Sequence, residues 1–83
     1  MNIMKLVAHN IKKLRQEKGL KQCVFASVLS ISVQTLSAIE NGKKDLKLSK
    51  LHQIAQGLDV SIIDLLDYEK GNKNLPQTGK SIY

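Results

Sequence analysis

Residues 22–42 read QCVFASVLSISVQTLSAIENG, and their reading decides the fold. Phe25, Ala26 and Leu29 recur at a helical interval, so a helix over 22–29 has one inward stripe. Ser30 follows as the turn, and Ile31 plugs the core after it. Ser32 is a good N-cap, because its hydroxyl can accept a bond from a free backbone N–H two or three residues on. A second helix then runs over 33–41, with Leu36 and Ile39 inward, and Gly42 stops it. The Asn41-Gly42 pair would be a hairpin signal between strands. Its flanks here have a helical period and do not alternate, so that reading is rejected.

The flanking segments are helical too. Met4, Val7, Ile11 and Leu14 recur at three and four, joined by Ala8, which predicts a helix over 4–18. Gly19 ends it where a left-handed residue costs least, and Leu20 turns back toward the core. A fourth helix starts near Ser49, with Leu51, Ile54, Ala55 and Leu58 on one face and Leu48 just ahead. The fifth has the clearest start. Ser61 is its N-cap and Asp64 lies three residues on, a capping box with Asp in place of Glu. Val60 and Leu65 can close a hydrophobic staple across that start. Ile62, Leu65 and Leu66 are expected to cover one face and fill the core, and the helix to end near Tyr68. From Glu69 onward the chain has no period and is rich in Gly, Asn, Lys and Gln. The division is therefore a five-helix all-α domain over 1–68 and a flexible C-terminal tail over 69–83.

Composition narrows the function classes. The chain has 83 residues and a formal charge of +6. Residues 1–50 carry ten Lys and Arg against three acids, Glu17, Glu40 and Asp45, and the remainder is close to neutral. One basic part suits a polyanion, and a neutral part suits the chain itself or a partner. Cys23 is the sole cysteine, so neither an internal disulfide nor a zinc cluster can form. His9 and His52 have no metal-ligand spacing. No apolar run approaches the ~18 residues of a membrane span, and the N-terminus lacks a signal-peptide core. A cytoplasmic protein without metal or cofactor is expected. Paired acids, a Gly-rich phosphate loop and any cofactor motif are missing, so an enzyme is not expected.

Two short helices joined by a tight break form a helix-turn-helix, which places its second helix in the major groove of DNA. The wider pattern is Leu14-Arg15, Gly19-Leu20, Gln22, Phe25-Ala26, Leu36, Ile39-Glu40-Asn41-Gly42, Leu51, Ala55, Leu58-Asp59-Val60-Ser61 and Leu65-Leu66. At these spacings it resembles the Cro and lambda-repressor-like (Xre-like) helix-turn-helix family over residues 7–66. Three residues depart from that family. Lys21 stands where Ser or Thr usually caps helix 2, which removes ~1 kcal/mol of capping. Ser30 stands where Gly is preferred in the turn, and Leu46 where Pro is frequent.

The resemblance implies roles by position. Arg15 and Glu40 correspond to a partly buried ion pair tying helix 1 to helix 3. Ser32, Val33, Gln34, Ser37 and Ala38 face the bases. Gln34 is the best reader, because its amide matches the N6/N7 edge of adenine. Val33 and Ala38 suit a thymine methyl. Helix 3 offers no Arg or Lys, so an A/T-leaning half-site is expected. Lys21, Gln22, Thr35, Asn41, Lys43, Lys44 and Lys47 are assigned to phosphates, which position the protein without reading sequence. Ile63 falls where the family is commonly polar. With Leu66 and Tyr68 it forms the expected homodimer interface.

The leading expectation is a transcriptional regulator, a repressor, that binds a palindromic operator on double-stranded DNA as a homodimer. The alternatives are an antitoxin that also grips a toxin partner, or a protein-interaction module on the same fold. Helix 2 also carries apolar Cys23, Val24 and Val28, the two valines four apart on one face, which are expected to meet the N-terminal residues, the tail or a partner protein.

Overall fold

A computed structural model describes residues 2–67. Tyr68 and the segment 69–83, and with them the expected tail, lie outside the described residues. Five helices follow in order: α1 Ile3–Glu17, α2 Gln22–Val28, α3 Val33–Glu40, α4 Leu48–Leu58 and α5 Ile62–Leu66. The described residues contain no strand.

Each start has a local cause. Asn2 caps α1 through its Oδ1, which accepts from the N–H of Met4 at 2.7 Å and of Lys5 at 3.3 Å. Ser32 caps α3 by accepting from the N–H of Thr35 at 3.0 Å. Ser61 and Asp64 close a reciprocal capping box on α5. Lys21 and Lys47 precede α2 and α4 and give no side-chain cap.

The stops share one geometry. α1 to α4 each end with a residue in the left-handed region: Gly19 (φ 73°), Ser30 (φ 57°), Gly42 (φ 71°) and Asp59 (φ 59°). In each case the next N–H reaches back five residues. Leu20 bonds the carbonyl of Arg15, Ile31 that of Ala26, Lys43 that of Ala38 and Val60 that of Ala55. This is the Schellman arrangement, which satisfies carbonyls that the helix leaves open. It also folds Leu20, Ile31 and Val60 back against the core. Ser30 holds a conformation that strains a side chain. Ser30→Gly is therefore expected to raise stability by about 0.5–1 kcal/mol, after subtracting the larger backbone entropy that glycine loses. A thermal melt checks this, and an unchanged or lower midpoint contradicts it.

The core joins Val7, Ile11 and Leu14 of α1 to Phe25, Ala26 and Leu29 at α2. Leu36 and Ile39 of α3, Ile54, Ala55 and Leu58 of α4, and Leu65 of α5 complete it. Gly57 lets α4 lie close on α2: a Cβ there would stand 3.1 Å from Phe25 Cε1 and 3.2 Å from Leu29 Cδ2. Small residues at crossings permit such approach, and added methyls would force repacking.

Three sequence expectations need correction. α5 ends at Leu66 and not near Tyr68, because Asp67 leaves the helical region with ψ 109°. Leu66 does not fill the core: it is 41% exposed, while Leu65 is buried and Ile62 half-buried. The inward side of α5 is held by Leu65, with Ile62 packed against the core beside it. Leu48 begins α4 instead of preceding it, and is 69% exposed.

Candidate nucleic-acid interface

α2 and α3 are bent 105° apart across their break. Leu36 and Ile39 hold the inner side of α3 with almost no exposure. What remains outward is Val33 and Gln34, both exposed, and Ser37 and Ala38, both half-buried. The only charged residue of α3 is Glu40, and it is buried, so the outward face of this helix is uncharged.

Ser32 and Thr35 are less free than their positions suggest. The Ser32 hydroxyl accepts the Thr35 N–H and lies 2.8 Å from Thr35 Oγ1. Their first task is to start α3, and polar contact with DNA falls to the one hydroxyl hydrogen that their mutual bond does not use and to the lone pairs left over. Asn41 is exposed and its Nδ2 donates to Ser37 Oγ at 3.3 Å.

Lysines flank the two helices along the chain. Lys21, Lys43, Lys44 and Lys47 are all exposed. Lys44 and Lys47 rim a cleft of about 250 Å³ between α3 and the loop before α4, floored by Ile31, Ile39 and Leu46. Leu46, where Pro was the family habit, packs against the core and anchors this loop. Sequence reasoning missed Lys50 on the same rim, half-buried, with Nζ donating to Gln53 Oε1 at 3.2 Å. It also missed Lys5 and His9. Gly42 ends α3 directly against α1, where an added Cβ would meet Lys5 Cγ at 3.2 Å. That contact sets Lys5, His9 and Lys12 beside Asn41 in a groove of about 430 Å³. A lysine and histidine four apart on α1 are visible in sequence, but their nearness to α3 is not.

Behind the face is a polar lock. Arg15 Nε donates to Glu40 Oε2 at 2.7 Å and a second guanidinium nitrogen to Oε1 at 3.1 Å. The third nitrogen donates to the Leu20 carbonyl at 2.7 Å. Gln22 Nε2 also donates to Glu40 Oε1, at 3.1 Å. Two parallel bonds from a planar guanidinium fix angle as well as charge. Helix α3 is thereby bolted to α1, to the turn after α1 and to the start of α2.

Among the described residues no group of three or more His, Cys, Asp or Glu could hold a metal ion. Cys23 is exposed on the first turn of α2. Among the same residues no single helix is long and apolar enough to cross a membrane.

Comparison with known proteins agrees with this geometry. A helix-turn-helix family profile matches residues 11–65. The chain is 38% identical over 66 residues to the uncharacterized HTH-type transcriptional regulator y4dJ of Sinorhizobium fredii, covering 80% of this chain and 86% of that one. It is 38% identical over 73 residues to control protein C.MunI of a Mycoplasma species, covering 84% of this chain and 99% of that one. Among solved structures, the hydroxypropylphosphonic acid epoxidase from S. wedmorenis superposes with a TM-score of 0.74 at 30% identity. That match covers 78% of this chain but 35% of the epoxidase chain, so the likeness concerns a portion of it. The chain belongs to the helix-turn-helix family of DNA-binding transcriptional regulators, the Xre-like group that the sequence pattern resembles.

Proposed function

We propose that the protein is a repressor that binds a palindromic operator as a homodimer, with the outward face of α3 in the major groove. The observation that carries this reading is the division of labour around α3. Its exposed face is uncharged, and exposed lysines stand just before α2 and in the loop that follows α3, where Lys44 and Lys47 share a cleft with Thr35 and Ile39. A neutral face can enter the groove and read base edges, while marginal cations neutralise phosphates without reading sequence.

In this arrangement Gln34 reads adenine, and Val33 and Ala38 meet thymine methyls. Ser37 and Ser32 supply minor polar contacts. Lys21, Gln22, Thr35, Asn41, Lys43, Lys44 and Lys47 hold the backbone on both sides. A domain this small offers limited surface to DNA, so affinity needs two copies, with half-sites roughly one helical turn, ~34 Å, apart. The exposed Ile63 and Leu66 of α5 are the apolar surface for the second copy. The similarity to control protein C.MunI over 99% of that protein's length supports a regulatory reading.

Salt dependence tests the mechanism. If Lys21, Lys43, Lys44 and Lys47 of both copies each neutralise a phosphate, the log–log slope of affinity against salt is on the order of −7. Lys43→Ala and Lys44→Ala should each lower its magnitude by about 2 for the dimer. A flat dependence contradicts the reading.

A further inference from the structure

We propose that Glu40 is a positioning residue for DNA binding, acting through Gln22. The inference rests on the assignment of Gln22 to a backbone phosphate. Glu40 itself cannot touch DNA, since its side chain is 1% exposed. Its Oε2 accepts from Arg15, and its Oε1 accepts from both Arg15 and Gln22. Arg15 spends its remaining nitrogen on the Leu20 carbonyl. Gln22 is thus the one member of this cluster that is both held by the lock and in reach of solvent, being half-buried at the start of α2.

The chemistry of the amide sets the consequence. A primary amide nitrogen carries two hydrogens, and an ionised carboxylate only accepts. With one hydrogen committed to Glu40, the second is aimed away from the pair. The reverse orientation would set the amide carbonyl against the carboxylate, two acceptors facing each other. Glu40 therefore fixes the orientation of the Gln22 amide: Nε2 stays on the Glu40 side, and its second hydrogen is left to donate. A phosphate accepts hydrogen bonds and gives none, so a donor is the end it requires. Arg15 completes the device: by pairing with Glu40 it keeps a bare carboxylate from repelling the same phosphate.

Two measurements on the full chain test this, with a mixed-sequence DNA duplex at low salt as the probe. In heteronuclear side-chain amide spectra, adding duplex should shift one Gln22 Nε2 proton and leave the Glu40-bonded proton in place. The second measurement is Gln22→Ala in two backgrounds: the parent, and a chain carrying Arg15→Met with Glu40→Leu. The apolar pair replaces the ion pair without leaving an unpaired charge, and buried pairs tolerate such exchange. Gln22→Ala should weaken duplex binding about tenfold in the parent and less than about twofold where the lock is gone, since an untethered amide loses its preset direction. An equal loss in both backgrounds overturns the role of Glu40 and leaves the phosphate contact standing. No loss in the parent overturns the phosphate assignment, and the inference with it. Two amide protons shifting together likewise overturn the proposal.

Discussion

Arg15→Ala is expected to destabilise the domain by about 3–5 kcal/mol, the cost of leaving one charge of a buried pair without its partner. Arg15 is 7% exposed and Glu40 6%. The substitution removes both bonds to Glu40 and the bond to the Leu20 carbonyl. It leaves a carboxylate buried with Gln22 as its only hydrogen-bond donor among those seen here. Lys12 lies on the exposed side of the same helix, so Lys12→Ala should fall within about 0.5 kcal/mol of the parent. Each kcal/mol moves the melting point of a domain this size by roughly 4–8 °C, so thermal melts separate the two cases clearly. Equal midpoints for Arg15→Ala and Lys12→Ala would remove the lock from the account.

Ile63→Asp should dissociate the dimer while leaving the monomer folded. Ile63 is 75% exposed on α5, so the monomer gains almost nothing from its side chain. In a twofold interface the same patch is used by both copies, and the substitution counts twice. Burying an Ile side chain contributes ~1.5–3 kcal/mol, so two copies lose ~3–6 kcal/mol. That weakens self-association by at least about 100-fold, before the cost of two desolvated carboxylates. Light scattering reports the mass and a melt reports the fold. Operator affinity should fall with the dimer. A fully dimeric Ile63→Asp protein would refute the interface.

The parts of this fold that could be read from sequence are those with local causes. Ser32 and Ser61 cap the helices that they precede, and their partners lie three residues away. Gly19 and Gly42 end helices because a left-handed turn suits them. Ser30 stands where glycine is preferred, and it holds the same left-handed geometry. Helix periodicity located the core stripes, because burial of an α-helix repeats along the chain.

What escaped depended on distant parts of the chain. Asn10 sits in the middle of α1 and is 1% exposed, which no periodic pattern announces for a polar residue. Its Nδ2 donates to the carbonyls of Leu65 and Asp67, both at 3.0 Å, and so closes the end of α5. A helix as short as α5 has little stability of its own. The capping box at one end and Asn10 at the other hold it, with Leu65 between. The bond from Gln22 to Glu40 spans 18 positions of sequence, so nothing local announces it. Lys5 and His9 share a groove with Asn41 because α3 ends against α1. In each case the residue type was visible and its partner was set by packing.

The most direct measurement is selection of bound duplexes from a random pool, run in parallel with the parent and Gln34→Ala. The parent should enrich a two-part symmetric site with centres about one helical turn apart and an A/T-leaning core in each half. Gln34→Ala should still bind, and should lose preference at one adenine in each half-site. No enrichment by the parent, or an unchanged site from Gln34→Ala, would contradict major-groove reading by α3.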